Sequence, residues 1–181
     1  MLENDDIRYG LVSRMLHWGM ALIIVGMIGI AAVMVDMDKD DPLRLRLFGI
    51  HKSFGVLVLL LTAIRIIWLR ISQAPPLPIM LVAWERALAK IVHSLLYLLM
   101  LLVPIAGYVM SITGGYTVNF FGLFDLPILL DKNHDTHELF EEVHELLAWT
   151  FTGLILLHFV GALKHRFIDS DEGDVMKRML G

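Results

Sequence analysis

The chain contains no cysteine. That absence removes disulfides, thiolate-ligated haem, cysteine-held iron–sulfur clusters and covalent haem attachment through a Cys-x-x-Cys-His motif. Charge is scarce too: 19% of the 181 residues are charged, the formal net charge is −4 and the pI is near 6.0. No basic surface is expected, and therefore no nucleic-acid partner. The first residues carry Glu3, Asp5 and Asp6 and lack both a basic leader and a small-residue cleavage site, so no removable signal peptide is expected.

What is abundant is apolar surface. Hydrophobic residues make up 57% of the chain and the mean hydropathy is +0.68, more than a soluble domain of this length can hide. The soft or borderline metal ligands available are eight histidines and eleven methionines. The candidate chemistry is that of imidazole.

The stretch from Val143 to His158 is an apolar run with a histidine near each end, His144 and His158. A helix separates these two by about 21 Å along its axis and returns them to nearly one face. A lone histidine in an apolar helix is ordinarily a packed core residue. Here three other apolar stretches also carry one near an end, namely His17, His51 and His93.

In chain order, the spacing predicts four membrane helices over about residues 14–35, 47–70, 88–111 and 140–165, in one all-α four-helix domain spanning 1–181. Ser13 is placed to cap the first. Gly19, Gly26 and Gly29 would let a helix or a flat cofactor approach closely. Arg65 interrupts the second helix, where a charge must snorkel or pair. Ala74-Pro75-Pro76-Leu77-Pro78 makes a stiff turn, and Pro104 predicts a kink in the third helix. Residues 112–142 are too long for a bare link, and a short surface helix or interfacial lid is expected there.

Lysine and arginine placement sets the expected orientation. Arg8, Arg14, Arg70, Arg86, Lys90, Lys164, Arg166, Lys177 and Arg178 lie on the side of the termini, against Lys39, Arg44, Arg46, Lys132 and Lys52 on the other. Both termini are therefore expected in the cytoplasm. His51 and His144 then share the outer side, and His17 and His158 the inner. Two bis-imidazole sites stacked across a membrane suit two b-type haems. His165 lies seven residues beyond His158, almost on the same face, and His93 is also on the inner side, so spacing alone leaves the inner pair open. A zinc reading of His134-Asp135-Thr136-His137-Glu138 competes with a solvated acidic helix start. The latter is favoured because the segment is not His-Glu-x-x-His.

At these residues the chain resembles the bacterial dihaem cytochrome b561 proteins. The likeness rests on Ser13-Arg14-Met15-Leu16-His17-Trp18, Ile50-His51-Lys52-Ser53-Phe54-Gly55, Arg65, His93-Ser94-Leu95-Leu96-Tyr97 and Pro104-Ile105-Ala106-Gly107. Phe121-Gly122-Leu123, Val143-His144-Glu145 and His158 complete it. The resemblance implies an inner-membrane, quinone-linked oxidoreductase with two haem b groups. His17 and His158 would hold the cytoplasmic-side haem, and His51 and His144 the periplasmic-side haem. It implies ubiquinone as substrate near His93 and His165, Lys52, Arg65 and Lys164 at haem propionates or edges, and superoxide or another periplasmic donor. The oligomeric state stays open. A membrane anchor and electron conduit for a dehydrogenase or hydrogenase is the alternative, and a histidine-lined metal path explains two depth-matched pairs less well.

Overall fold

The computed structural model describes residues 1–78, 80–168 and 174–180. Four long helices dominate: α1 (Leu11–Asp36), α2 (Pro42–Ile71), α3 (Ala83–Thr113) and α4 (His134–Phe167). They have 26, 30, 31 and 34 residues, and each exceeds the roughly 20 needed to cross about 30 Å of hydrocarbon. Their outward faces carry exposed Leu22, Val25, Leu60, Ile64, Leu98, Trp149 and Leu156, as a lipid-facing bundle requires. The molecule is a membrane four-helix bundle.

All four helices begin earlier than hydropathy predicts, and at α2, α3 and α4 this is because first turns with charged or polar residues extend beyond the apolar run. Ser13 does not cap α1. Gly10 holds the cap position, and Ser13 lies buried inside the first turn, where its Oγ accepts from Trp68 Nε1 at 2.9 Å. At α2, Asp41 Oδ1 accepts from Leu43 N at 2.8 Å, and Pro42 fills the first helical position, where no N–H is missed. Glu85 Oε2 accepts from Val82 N at 3.3 Å at the start of α3, which runs on through Pro104. Asn133 Oδ1 accepts from Thr136 N at 2.9 Å to start α4, and Lys164, His165 and Arg166 in its last turn suit the negative end of the helix dipole.

The core joins Met20 and Ile24 of α1, Val58 of α2, Leu99 and Met100 of α3 and Phe151 of α4. α4 packs closely along α3, and α2 against both α1 and α3, while α4 stands off from α1 and α2. That gap is lined in part by histidine.

The termini share one end of the bundle. Tyr9 N donates to Arg178 O (3.1 Å), Trp18 Nε1 to Met179 O (3.0 Å) and Arg178 Nη1 to Pro76 O (2.6 Å), which ties the N-terminal segment, the α2–α3 turn and the short helix α5 (Lys177–Leu180) together. The α3–α4 connection lies at the other end and spans 114–133, shorter than expected. In place of a surface helix it holds a hairpin of β1 (Asn119–Phe120) and β2 (Phe124–Asp125), paired Asn119 with Asp125 and Phe120 with Phe124. Phe121 and Gly122 take positive φ, 50° and 77°, to close it.

Candidate functional site

Two imidazole pairs lie in the gap, one towards each end. At the termini end, His17 on α1 faces His158 on α4 with ring centroids 6.2 Å apart and planes at 72°. At the loop end, His51 on α2 faces His144 on α4 at 6.4 Å and 85°. A metal–imidazole nitrogen bond is about 2 Å, and the nitrogen sits about 1.1 Å from its ring centre, so two imidazoles on one metal have centroids roughly 6.2 Å apart. Both pairs have that separation, and the residues present fit a bis-imidazole iron.

The imidazoles differ in what holds them. His144 Nδ1 lies 2.9 Å from Val103 O on α3, a donation that leaves Nε2 with its lone pair. The ring reaches that carbonyl because Gly107, one turn on, has no side chain. His51 Nδ1 is buried and makes no hydrogen bond of normal length and angle among the described residues, although the ring feels the Met27 carbonyl of α1. His17 Nδ1 instead faces Arg65 Nη2 at 3.2 Å, and the same guanidinium stands 5.3 Å over the ring of Tyr97. Arg65 is therefore paired inside the bundle, not snorkelling out of it.

Of the other predicted residues, His93 sits with its ring 5.0 Å from that of His158 and donates from Nδ1 to Ala89 O at 2.6 Å. His165 occupies the last turn of α4 beside Lys164, whose ammonium is 2.6 Å from Glu85 Oε1. Lys52 is half-buried, and its ammonium lies 5.1 Å over the Tyr116 ring. His134 and Glu138 approach to 3.5 Å on an exposed surface, while His137 turns away to Met110 O at 2.8 Å. Among the described residues no group of three or more histidines and carboxylates gathers for a metal.

Sequence reading missed the supports. Gly107 stands in one of the blocks that carry the family likeness, but nothing in the sequence assigns it or the Val103 carbonyl a place beside His144. Ser53 donates to Asn119 O at 2.9 Å and accepts from Phe121 N at 3.2 Å, fastening the hairpin two residues from His51. Phe54 then meets Phe121 edge-on at 5.1 Å.

The family model described as prokaryotic cytochrome b561 matches residues 8–181. The chain is 37% identical to cytochrome b561 homolog 2 of Escherichia coli (strain K12), over 98% of this chain and 94% of that protein. It is 26% identical to cytochrome b561 homolog 1 of the same organism, over 91% and 93%. It is 28% identical to the probable superoxide oxidase CybB of Yersinia pestis, over 91% and 92%.

Proposed function

Because the chain belongs to the prokaryotic cytochrome b561 family, bacterial inner-membrane multi-pass proteins that carry b-type haem for electron transfer, we propose that residues 1–181 form one dihaem domain oxidising a periplasmic-side donor and reducing ubiquinone. The observation that carries this reading is the presence of two imidazole pairs, at 6.2 and 6.4 Å, at opposite ends of the same bundle. His51 and His144 hold the haem nearer the loop end, and His17 and His158 the haem nearer the termini. With nine lysines and arginines at the termini end against five at the other, the termini lie in the cytoplasm.

Haem bound at these pairs supplies a one-electron Fe(III)/Fe(II) couple. The chain's own residues do the rest. His51 with His144, and His17 with His158, would hold the haems in pairs, and groups held in that way would supply electron transfer and not oxygen binding. Val103 O fixes the tautomer of His144, and Gly107 gives its ring space. Superoxide is the donor that the likeness to the Yersinia protein supports. Two superoxide anions give two electrons and leave as dioxygen, and one ubiquinone takes those electrons with two cytoplasmic protons to become ubiquinol. His93, beside His158, and His165, in the last turn of α4, are placed to hand on the protons. Lys52, Arg65 and Lys164 would meet the haem propionates or edges, as the family likeness implies.

The test is the optical spectrum of the purified protein with haem quantified per chain. Two b haems with sharp reduced α-band absorption are expected, together with superoxide-driven ubiquinone reduction by the protein alone. A colourless preparation overturns the reading. Reduction only in the presence of another subunit makes the protein an electron conduit for that subunit.

A further inference from the structure

His137, half-buried near the start of α4, has no part in the proposed reaction, yet its surroundings repeat those of His144. His144 donates from Nδ1 to Val103 O at 2.9 Å, and His137 donates from Nδ1 to Met110 O at 2.8 Å. A carbonyl oxygen only accepts, so both rings carry a proton on Nδ1. Beside each ring is a glycine of α3. A Cβ at Gly107 would stand 2.9 Å from Cε1 and 3.0 Å from Nδ1 of His144, and a Cβ at Gly114 would stand 2.9 Å from Cε1 and 2.8 Å from Nδ1 of His137. In both cases the glycine follows the accepting carbonyl by four residues. A helical side chain leans towards the N-terminus and covers the turn before its own Cα. A side chain four residues after a carbonyl therefore screens that carbonyl from a neighbouring helix, and glycine leaves it open.

The two rungs are in step. Val103 and Met110 are seven residues apart on α3, as are His137 and His144 on α4, and the helices run in opposite directions. Each step covers the same two turns, about 10.5 Å. A slip of α4 by one residue would carry each ring about 1.5 Å along the axis and swing it through about 100°, breaking both bonds at once. Neither helix end needs the His137 bond for its own cap, because Asn133 Oδ1 already accepts from Thr136 N and Met110 O already accepts from Gly114 N at 3.1 Å. α4 packs closely along α3 and stands off from α1 and α2, so its axial position is set against α3. At the termini end the described link is the Lys164–Glu85 ion pair, made by long side chains that tolerate sliding better than a short, flat ring does.

We propose that His137 is a register-setting residue: the second rung, two turns outward, fixes α4 along α3 at the position where the His144 ring reaches Val103 O and stands opposite His51. His137 acts through another residue, so its role is positioning. Its effect on the loop-end haem rests on the dihaem reading above, whereas its hold on the register does not.

The experiment compares the purified wild type with His137→Ala, with His137→Asn, whose side-chain amide puts a donor where Nδ1 stands, and with His134→Ala, which removes an exposed histidine of the same turn. One readout is amide hydrogen exchange over residues 134–144. The other is the rate of loss and the low-spin electron paramagnetic resonance signal of the loop-end haem, identified as the signal that His144→Ala abolishes. In His137→Ala, exchange over 134–144 and loss of the loop-end haem are both expected to quicken by about three- to tenfold, the size of one hydrogen bond. The loop-end signal should shift and the termini-end signal should stay. His137→Asn restores most of both readouts, and His134→Ala changes neither. Wild-type exchange and signal in His137→Ala overturn the proposal, as does an equal effect in His137→Asn or His134→Ala, or an equal effect on both haems. If His137→Ala yields no folded protein, His137→Asn decides: wild-type exchange and signal support the proposal and altered ones overturn it. Fewer than two haems in the wild type overturns the dihaem reading, and the exchange measurement then judges the register by itself.

Discussion

A Cβ added at Gly107 would stand 2.9 Å from Cε1 and 3.0 Å from Nδ1 of His144. No real side chain tolerates that approach, so the position of the His144 ring depends on an absence in the neighbouring helix. Gly107→Ala is expected to push the ring off the Val103 carbonyl at a cost of about 1–3 kcal/mol. The loop-end haem should then be held roughly ten- to a hundredfold more weakly, read as haem per chain on dilution. Gly49→Ala, where the added atom meets nothing within 4 Å, should leave both haems in place.

The pairing itself makes reciprocal expectations. His144→Ala leaves His51 alone at the loop end and should remove that haem while the termini-end haem stays. His158→Ala should do the reverse. Haem counting with reduced-minus-oxidised spectra checks both. Loss of both haems from either variant, or of neither, would break the assignment, and loss of the termini-end haem from His165→Ala would move the ligand about two helical turns on.

Hydropathy made the four spans legible, since long apolar runs have few alternatives, and the fourteen-residue spacing in α4 placed His144 and His158 on one face. Depth put His51 with His144 once the helices alternated in direction, but at the inner side it left His158, His165 and His93 open, and the family likeness chose His158. What stayed illegible depends on docking between helices. Nothing in the sequence around Gly107 says that His144 lies against it, and nothing around Arg65 says that its guanidinium turns inward to His17 and Tyr97. The hairpin was hidden because its strands are two residues long and its turn puts Phe121, not only a glycine, at positive φ. Ser13 read as a cap because serine before an apolar run is a cap signal, but Gly10 starts the helix one turn earlier and Ser13 serves Trp68 instead.

Ser53 is the only described side chain that hydrogen-bonds the hairpin to α2, through Asn119 O and Phe121 N. Ser53→Ala leaves the amide of Phe121 without that acceptor, and the loss of one such hydrogen bond costs about 0.5–1.5 kcal/mol. Faster hydrogen exchange confined to residues 119–125, with the spectrum of both haems unchanged, is the expected outcome. Global destabilisation would show that the hairpin carries more of the fold than its two tethers indicate.

Asp174 fastens the C-terminal turn: its carboxylate pairs with Arg166 and accepts from Met176 N at 2.9 Å and Lys177 N at 3.1 Å. Burial alone would push this carboxyl up, but the Arg166 hydrogen bond and the two backbone donors outweigh it and hold it below the usual carboxylate range. A depressed acid stabilises the folded turn above its unfolded value, about 3.9, and the contribution is lost as pH falls through the folded value. Exchange of the 174–180 amides should therefore be insensitive to pH-driven opening between pH 5 and 8 and should show release of the turn only below about pH 4. Asp174→Asn should show the released pattern at neutral pH.

Quinone reduction at the termini end needs two protons, and imidazole is the side chain whose ordinary pKa near 6.5 suits their delivery. His93 donates from Nδ1 to Ala89 O, which leaves Nε2 as the nitrogen able to take up and release a proton, and its ring is 5.0 Å from that of His158. A proton donor there would adjoin the site from which the electrons leave in the proposed reaction. His165 lies in the last turn of α4, at the same end, beside the Lys164–Glu85 ion pair. Both substitutions, His93→Ala and His165→Ala, are expected to keep two haems and their spectra while slowing electron transfer to ubiquinone by about tenfold or more, the contribution of a positioned acid–base group. Stopped-flow reoxidation of the reduced protein by ubiquinone measures that step apart from donor oxidation. A spectrally intact double variant that reoxidises at the wild-type rate would remove both residues from the quinone site and turn the search to the loop end, where Trp149 is 69% exposed one and a half turns along α4 from His144.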